Sequence, residues 1–417
     1  MATSPTDLAR RAADAVDAKG VVALAQELVR LRSVYEPDKG RTEAEAAHLL
    51  AGVLQEMGLT VTVEEAAPGR PNVIADWQGS GYRPGSRTLL FEGHSDVVTE
   101  GDAESWSHPP FAGVIEGGRL YGRGAADMKA GVAAAVMALQ AVMTAAPELP
   151  GRVRLGVVAD EEGMMLGIKH FIRRGWADEV DAAIVCEPEE LELCLWQKGA
   201  MRVAARFTGR MAHGAMPYAG VNPVPWLADF VQGVRALEAA EQARVGAHPQ
   251  LGLPWLTPTV LRAPATGEAQ LNVLPGDAEL LLDIRTVPGQ EHEAVFAALE
   301  GIAGAVRARD ARARISLELL EARPWTETSP HEPVVAALEQ ACRLLGREPR
   351  YGGVPGATDG TFLHAWAGVP IVTVGPGERT VPHQRDEWVA LDDIVHAAKL
   401  YAAAAVLFMS EEKSTTS

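Results

Sequence analysis

Apolar positions along this chain follow two rhythms. Over residues 21–31 and 43–57 they recur every three to four positions, the period of an amphipathic helix. Short β-rich runs follow at 60–64 and 72–77, and the stretch from Pro84 to Ser86 marks a turn. Three apolar runs come next. Residues 88–91 lead into Glu92-Gly93-His94-Ser95-Asp96, residues 153–158 into Asp160-Glu161-Glu162-Gly163, and residues 182–186 into Glu187-Pro188. Such runs predict strands buried on both faces, as in a parallel sheet. The alanine-rich stretch 128–145 reads as a helix between them, which makes a strand–helix–strand unit. Ligand sites of open α/β sheets lie beyond the carboxyl ends of the strands. All three runs carry their acids, and one its histidine, at that end.

The texture changes near residues 196–199. Strands with half-buried alternation are predicted at 202–207, 278–283 and 315–321, and helices at 224–240 and 291–306. This reads as the β-α-β-β-α-β order of a ferredoxin-like insert. After Pro324 the first texture resumes, with a helix at 333–345, a buried strand at 371–374 and a closing helix at 391–408. The predicted fold class is α/β: a catalytic domain with a mostly parallel central sheet flanked by helices, plus an inserted ferredoxin-like α+β lid. The expected boundaries are 1–197 and 323–417 for the two catalytic parts and 198–322 for the lid. Residues 1–20 read as a loose helix start and 410–417 as a frayed polar tail.

Composition narrows the function classes. The chain has 417 residues, room for two or three domains of ~150 residues. Acidic residues outnumber basic ones, 55 to 38, for a net charge of −17. No nucleic-acid partner is expected on that balance, and no anionic membrane surface, because both need a basic face. Three cysteines are too few for a disulfide framework and point to a reducing compartment, hence the cytoplasm. Residues 1–11 lack the apolar core of a signal peptide. No stretch reaches 18 charge-free apolar residues, so no membrane span is expected.

The chemistry lies in the strand-end motifs. A carboxylate at Asp96 can accept the Nδ1 proton of His94 and leave Nε2 free for a metal. Asp127 sits in Gly122-Arg123-Gly124-Ala125-Ala126-Asp127-Met128-Lys129, which superficially resembles a dinucleotide loop. An acid at the third glycine position would repel a pyrophosphate, so that reading fails. Asp127 either caps the following helix or projects into the crevice beside His94. Glu161 and Glu162 form either a solvated acidic turn or a pair with divided labour, one holding a metal while the other faces its water. Glu187 is a third acid in the same topological place, and His383 follows the last strand and a glycine-rich loop at 375–377. Two histidines with three acids suit zinc, cobalt or manganese. Five ligands exceed what one tetrahedral ion with an open position needs, and a carboxylate-bridged pair of ions fits the count.

Segments 92–98, 122–131, 160–163, 186–188 and 209–222, in this order, resemble the di-metal aminoacylase, acetylornithine deacetylase, succinyl-diaminopimelate desuccinylase and glutamate carboxypeptidase family of metallohydrolases. The resemblance spans residues 21–408. It implies two divalent ions per chain, zinc first and cobalt or manganese next. His94 and Glu187 would hold one, Glu162 and His383 the other, with Asp127 bridging. It makes Glu161 the general base and Asp96 the partner of His94. In the lid it implies that His213 reaches the partner subunit's site, and that Asn272 and Arg285 hold the substrate's carboxylate or shape the site. For Arg285 an ion pair with Asp283 or another neighbour stands as the alternative. Gly356-Ala357-Thr358-Asp359-Gly360-Thr361 resembles the family's substrate loop, so Gly356 and Thr358 are expected to bind substrate. The family usually has arginine where Thr361 stands, and its loss removes a bidentate carboxylate clamp.

The implied reaction is hydrolysis of the amide C–N bond of a small N-acyl amino acid, through a metal-bridging water and Glu161. The implied partners are a small substrate with an amide and a carboxylate, and a second copy of the chain paired through the lid. A dipeptidase or carboxypeptidase of the same family, or hydrolysis of a non-peptide C–N bond, is the nearest alternative. A non-catalytic binding protein on this scaffold would have lost Glu161 or some ligands, and all are present. A serine hydrolase is excluded because no Gly-x-Ser-x-Gly elbow occurs.

Overall fold

The structure is a computed structural model that describes residues 4–411. Most of the expected tail at 410–417 lies outside the described residues. The chain divides into two compact units. One comprises Trp196–Glu327 with Val354–Ala357, and the other is built from the segments on either side of it.

The larger unit is a sheet covered on both faces by helices. Its strands run in the order Thr60–Ala67, Arg70–Gln78, Gly151–Val158, Arg87–His94, Ala182–Val185, Ile371–Thr373. The last four are mutually parallel, and the first two add an antiparallel edge. Every residue of Arg87–His94 and Gly151–Val158 is buried, which explains the apolar runs; the one charge inside them, Arg154, pairs with Asp76 at 2.7 Å. Side chains alternate between the faces. Phe91 meets Tyr401 of the closing helix Leu391–Ser410, with ring centroids 5.5 Å apart. Leu90, Ala183 and Val185 instead join Ile168 and Phe171 of helix Leu166–Arg173 and Phe362 of helix Gly360–Ala367.

The segments Ala125–Ala145 and Leu391–Ser410 are long and apolar enough to cross a membrane, but both are mostly buried within this unit. Helix Ala130–Ala145 packs hard against the sheet. A Cβ on Gly131 would lie 1.9 Å from the carbonyl oxygen of Cys186, so only glycine allows the approach. That contact places the start of the helix beside the turn that carries Glu187.

The smaller unit has the β-α-β-β-α-β order, with sheet order Trp255–Arg262, Asp277–Thr286, Gly199–Thr208, Ile315–Arg323. Helices Val224–Val245 and His292–Arg309 cover one face, and Phe207, Phe230, Leu280, Ile284 and Leu299 pack between them. Strand Asp277–Thr286 alternates strictly between buried and half-buried positions. Strand Trp255–Arg262 completes the order and had no clear sequence signal. It lies at a sheet edge, contains Pro258 and exposes most of its residues.

Candidate metal centre

Four adjacent parallel strands end on one side of the sheet, and their exits carry four of the five candidate ligands; the fifth, Asp127, follows strand Arg119–Tyr121 of a separate small sheet. His94 is the last residue of its strand and is 1% exposed. Its Nε2 lies 3.1 Å from Asp127 Oδ1 and 3.6 Å from Glu187 Oε1. The Nε2 of His383 lies 2.9 Å from Glu162 Oε1 and 3.3 Å from Asp127 Oδ2. Two groups result: His94, Asp127 and Glu187, and Asp127, Glu162 and His383. Asp127 belongs to both, one carboxylate oxygen facing each histidine. The N-cap position of the following helix is Lys129, not Asp127, and it makes no side-chain cap.

Asp96 differs from expectation in one respect. The Nδ1 of His94 lies 2.9 Å from the Asp96 backbone carbonyl and 3.7 Å from its carboxylate. The carboxylate is engaged elsewhere. Its two oxygens accept the backbone N–H groups of Glu161 and Glu162, at 3.1 and 3.2 Å. Asp96 therefore orients His94 through its carbonyl and the acidic turn through its side chain.

That turn has a second support absent from the sequence reading. Asp160 adopts a φ of 68°, a left-handed conformation that aspartate tolerates better than most residues. Its carboxylate accepts the N–H of Met164 at 3.0 Å and pairs with Arg70. Arg70 also binds the buried Glu43 at 2.8 Å and lies 3.8 Å from the centre of the Tyr35 ring.

The electrostatics of the cluster test whether cations fit. Burial, and then the charge of Asp127, pushes Glu187 well above the carboxylate range and Glu162 in the same direction. Glu92 is pushed up to about 8 by burial, against the pull of His94. Burial also opposes ionisation of Asp127, but hydrogen bonds from His383 and His94 hold it low. Hydrogen bonds to Asp127 and Glu162 raise His383 to about 10. His94 is raised as well: burial works against its charge, but Asp127 and Glu187 outweigh it. Buried carboxylates thus outnumber the cations that face them, and the donors are the nitrogen and oxygen atoms that divalent ions of the zinc type prefer. Without metal, the imidazoles keep protons that an ion must displace. Loading with zinc is expected to release protons from the imidazoles, and from any raised carboxylate that still holds one, so affinity should rise with pH. Calorimetric titration in buffers of different ionisation enthalpy measures this, and heats independent of buffer would contradict it.

The remaining candidates are placed as follows. Glu161 is buried beside Glu162. Thr358 is buried in the larger unit, and its carbonyl accepts the Thr361 hydroxyl at 2.8 Å. Gly356 lies on the short segment assigned to the smaller unit. In that unit His213 pairs with Val273 in a two-stranded ribbon, and the carbonyl of Asn272 accepts the N–H of Gly214 at 2.6 Å. The structure therefore brings His213 and Asn272 together. Arg285 makes the alternative contact, a pair with Asp283 at 2.7 Å.

Two residues missed in the sequence stand out. Glu387 and Arg123 form a buried ion pair at 2.6 Å behind Asp127. Position 387 is only four beyond His383, but nothing in the local pattern shows that a carboxylate there turns inward.

Comparison with known proteins agrees with this geometry. Residues 90–406 match the model of peptidase family M20/M25/M40. A succinyl-diaminopimelate desuccinylase from Gluconobacter oxydans is 32% identical, over 92% of this chain and 96% of its own. Among solved structures, an M20 family metallo-carboxypeptidase from Sulfolobus solfataricus superposes with a TM-score of 0.75 at 20% identity, covering 93% of this chain and 99% of that one. The aminopeptidase PepT from Bacillus cereus gives 0.76 at 18% identity, covering 95% and 100%. A parallel sheet whose strand ends gather two histidine–carboxylate groups around one shared aspartate is thus no accident of packing, and this chain belongs to the M20/M25/M40 family of metal-dependent amidohydrolases and peptidases.

Proposed function

We propose that this enzyme hydrolyses the amide bond of a small N-acyl amino acid whose acyl group need not carry a charge. The observation that supports this is the shared carboxylate: Asp127 offers one oxygen to each ligand group. His94 and Glu187 would hold one ion and Glu162 and His383 the other. Zinc suits this donor set best, with cobalt or manganese next. When bound, such ions polarise the scissile carbonyl and lower the pKa of water toward ~7.

The chain's own residues supply the proton transfers. Glu161, adjacent to a ligand but in neither ligand group, takes the proton of the attacking water and passes it to the leaving amine. His213 is exposed in the lid, and its Nδ1 accepts the N–H of Ala215 at 3.0 Å. A neutral ring in that state carries its proton on Nε2, free to donate to an oxyanion. In our reading it does so in the partner subunit's site, within a homodimer paired through the lids. Asn272 and Arg285 hold the substrate's carboxylate, Arg285 by exchanging Asp283 for it, and Gly356 and Thr358 line the acyl side. Three free, buried cysteines favour the reducing cytoplasm.

Position 361 argues against a strict N-succinyl substrate. The Thr361 hydroxyl is spent on the Thr358 carbonyl and the side chain is buried, so no guanidinium clamps a second carboxylate there. The test is the metal-loaded enzyme against N-acetyl, N-succinyl and N-carbamoyl amino acids and dipeptides. N-acetyl amino acids should be turned over at least as well as N-succinyl ones, and chelator should abolish activity. A marked preference for N-succinyl-diaminopimelate would overturn the substrate assignment. Dipeptides outrunning every N-acyl amino acid would replace it with a dipeptidase.

A further inference from the structure

Glu387 is 1% exposed and binds the backbone that carries a candidate ligand. Its Oε1 accepts the N–H groups of Ala126 and Asp127, at 3.0 and 3.1 Å. Its Oε2 accepts the N–H of Gly124 at 3.0 Å and the Arg123 guanidinium at 2.6 Å. Arg123, 3% exposed, extends the link: its Nη2 donates to the His383 carbonyl at 3.3 Å.

The strands on either side hold the same register. Trp388–Ala390 pairs antiparallel with Arg119–Tyr121, and the Gly122 N–H donates to the Glu387 carbonyl at 2.9 Å. Residues 119–127 and 383–390 are thereby tied across some 260 positions of sequence. Asp127 and His383, the ends of these two segments, face each other at 3.3 Å.

We propose that Glu387 is a positioning residue: through Arg123 and three backbone amides it sets the spacing of Asp127 and His383, and so the affinity of the ion position they share with Glu162. This rests on the dinuclear reading above. The chemistry requires a carboxylate. All four partners are donors, and a carboxylate is acceptor-only. In Glu387→Gln the amide NH₂ faces N–H donors whichever way the side chain flips. Aspartate keeps the charge but is one methylene too short to reach all four.

The test uses the full chain stripped of metal and titrated with cobalt, reading visible absorption and ions bound per chain. The phase missing in His383→Ala identifies the shared position. In Glu387→Gln that phase should weaken at least ~10-fold, within the range for residues that orient metal ligands. The phase held by His94 and Glu187 should weaken less, and Glu387→Asp should recover part of the loss. Arg123→Lys keeps the charge but loses the fork that spans Glu387 and the His383 carbonyl, and should show the same selective loss in smaller measure. Normal affinity for both ions in folded Glu387→Gln, or equal weakening of both, would overturn the proposal, even with a lowered melting temperature. Should Glu387→Gln fail to fold, Arg123→Lys decides on the same criteria. If the unmodified chain binds fewer than two ions, the dinuclear reading itself falls, whatever the variants do.

Discussion

Replacing Glu161 with alanine is expected to leave both ions bound while kcat drops by about 10²–10⁴-fold, the usual contribution of a general base. The expectation rests on the split between adjacent acids. Glu162 lies 2.9 Å from His383 and belongs to a ligand group, whereas Glu161 belongs to neither group. Both backbone N–H groups are fixed by Asp96, so removing one side chain leaves the turn in place. Metal content and steady-state kinetics on the same preparation decide the matter. Loss of an ion from Glu161→Ala would mean that Glu161 is a ligand. Near-normal turnover would mean that the base lies elsewhere.

Mixing two inactive variants is expected to restore activity. His213→Ala alone should lose about 10²–10³-fold in kcat, as when one oxyanion donor is removed. If His213 serves the partner subunit, a heterodimer of His213→Ala and Glu161→Ala has one site with both defects and one with neither. Random exchange of equal amounts then yields about a quarter of the unmodified activity, since half the dimers are mixed and half their sites intact. Subunit exchange is followed with differently tagged chains. No recovery despite proven exchange would assign His213 to its own subunit or to no site. A fully active monomer would remove the shared site altogether.

The amino-acid sequence alone made the central strands of the larger sheet and their exits legible. Val153–Val158 and Ala182–Val185 are buried on both faces, and such strands read as near-continuous apolar runs, interrupted in the first only by Arg154. Parallel strands exit on the same side, so acids and histidines at run ends converge without knowledge of any contact. That is why His94, Glu162, Glu187 and His383 could be listed before their distances were known, while Asp127 came from the glycine-rich segment 122–129. Strand Trp255–Arg262 was harder to read, because an edge strand exposed over most of its length leaves no period to count.

Only the tertiary structure decided how the site is held. The resemblance implied that Asp127 bridges, but that its two oxygens face different histidines is encoded in no spacing. The Asp96 carboxylate turned from His94 to the acidic turn because two backbone donors lie within its reach there. Arg70, Glu43 and Glu387 came from outside every motif, and Arg123, though inside the glycine-rich one, meets Glu387 across 264 residues. A buried ion pair forms wherever folding brings opposite charges together out of water, and burial is a property of the packed chain rather than of the residues next to it in sequence.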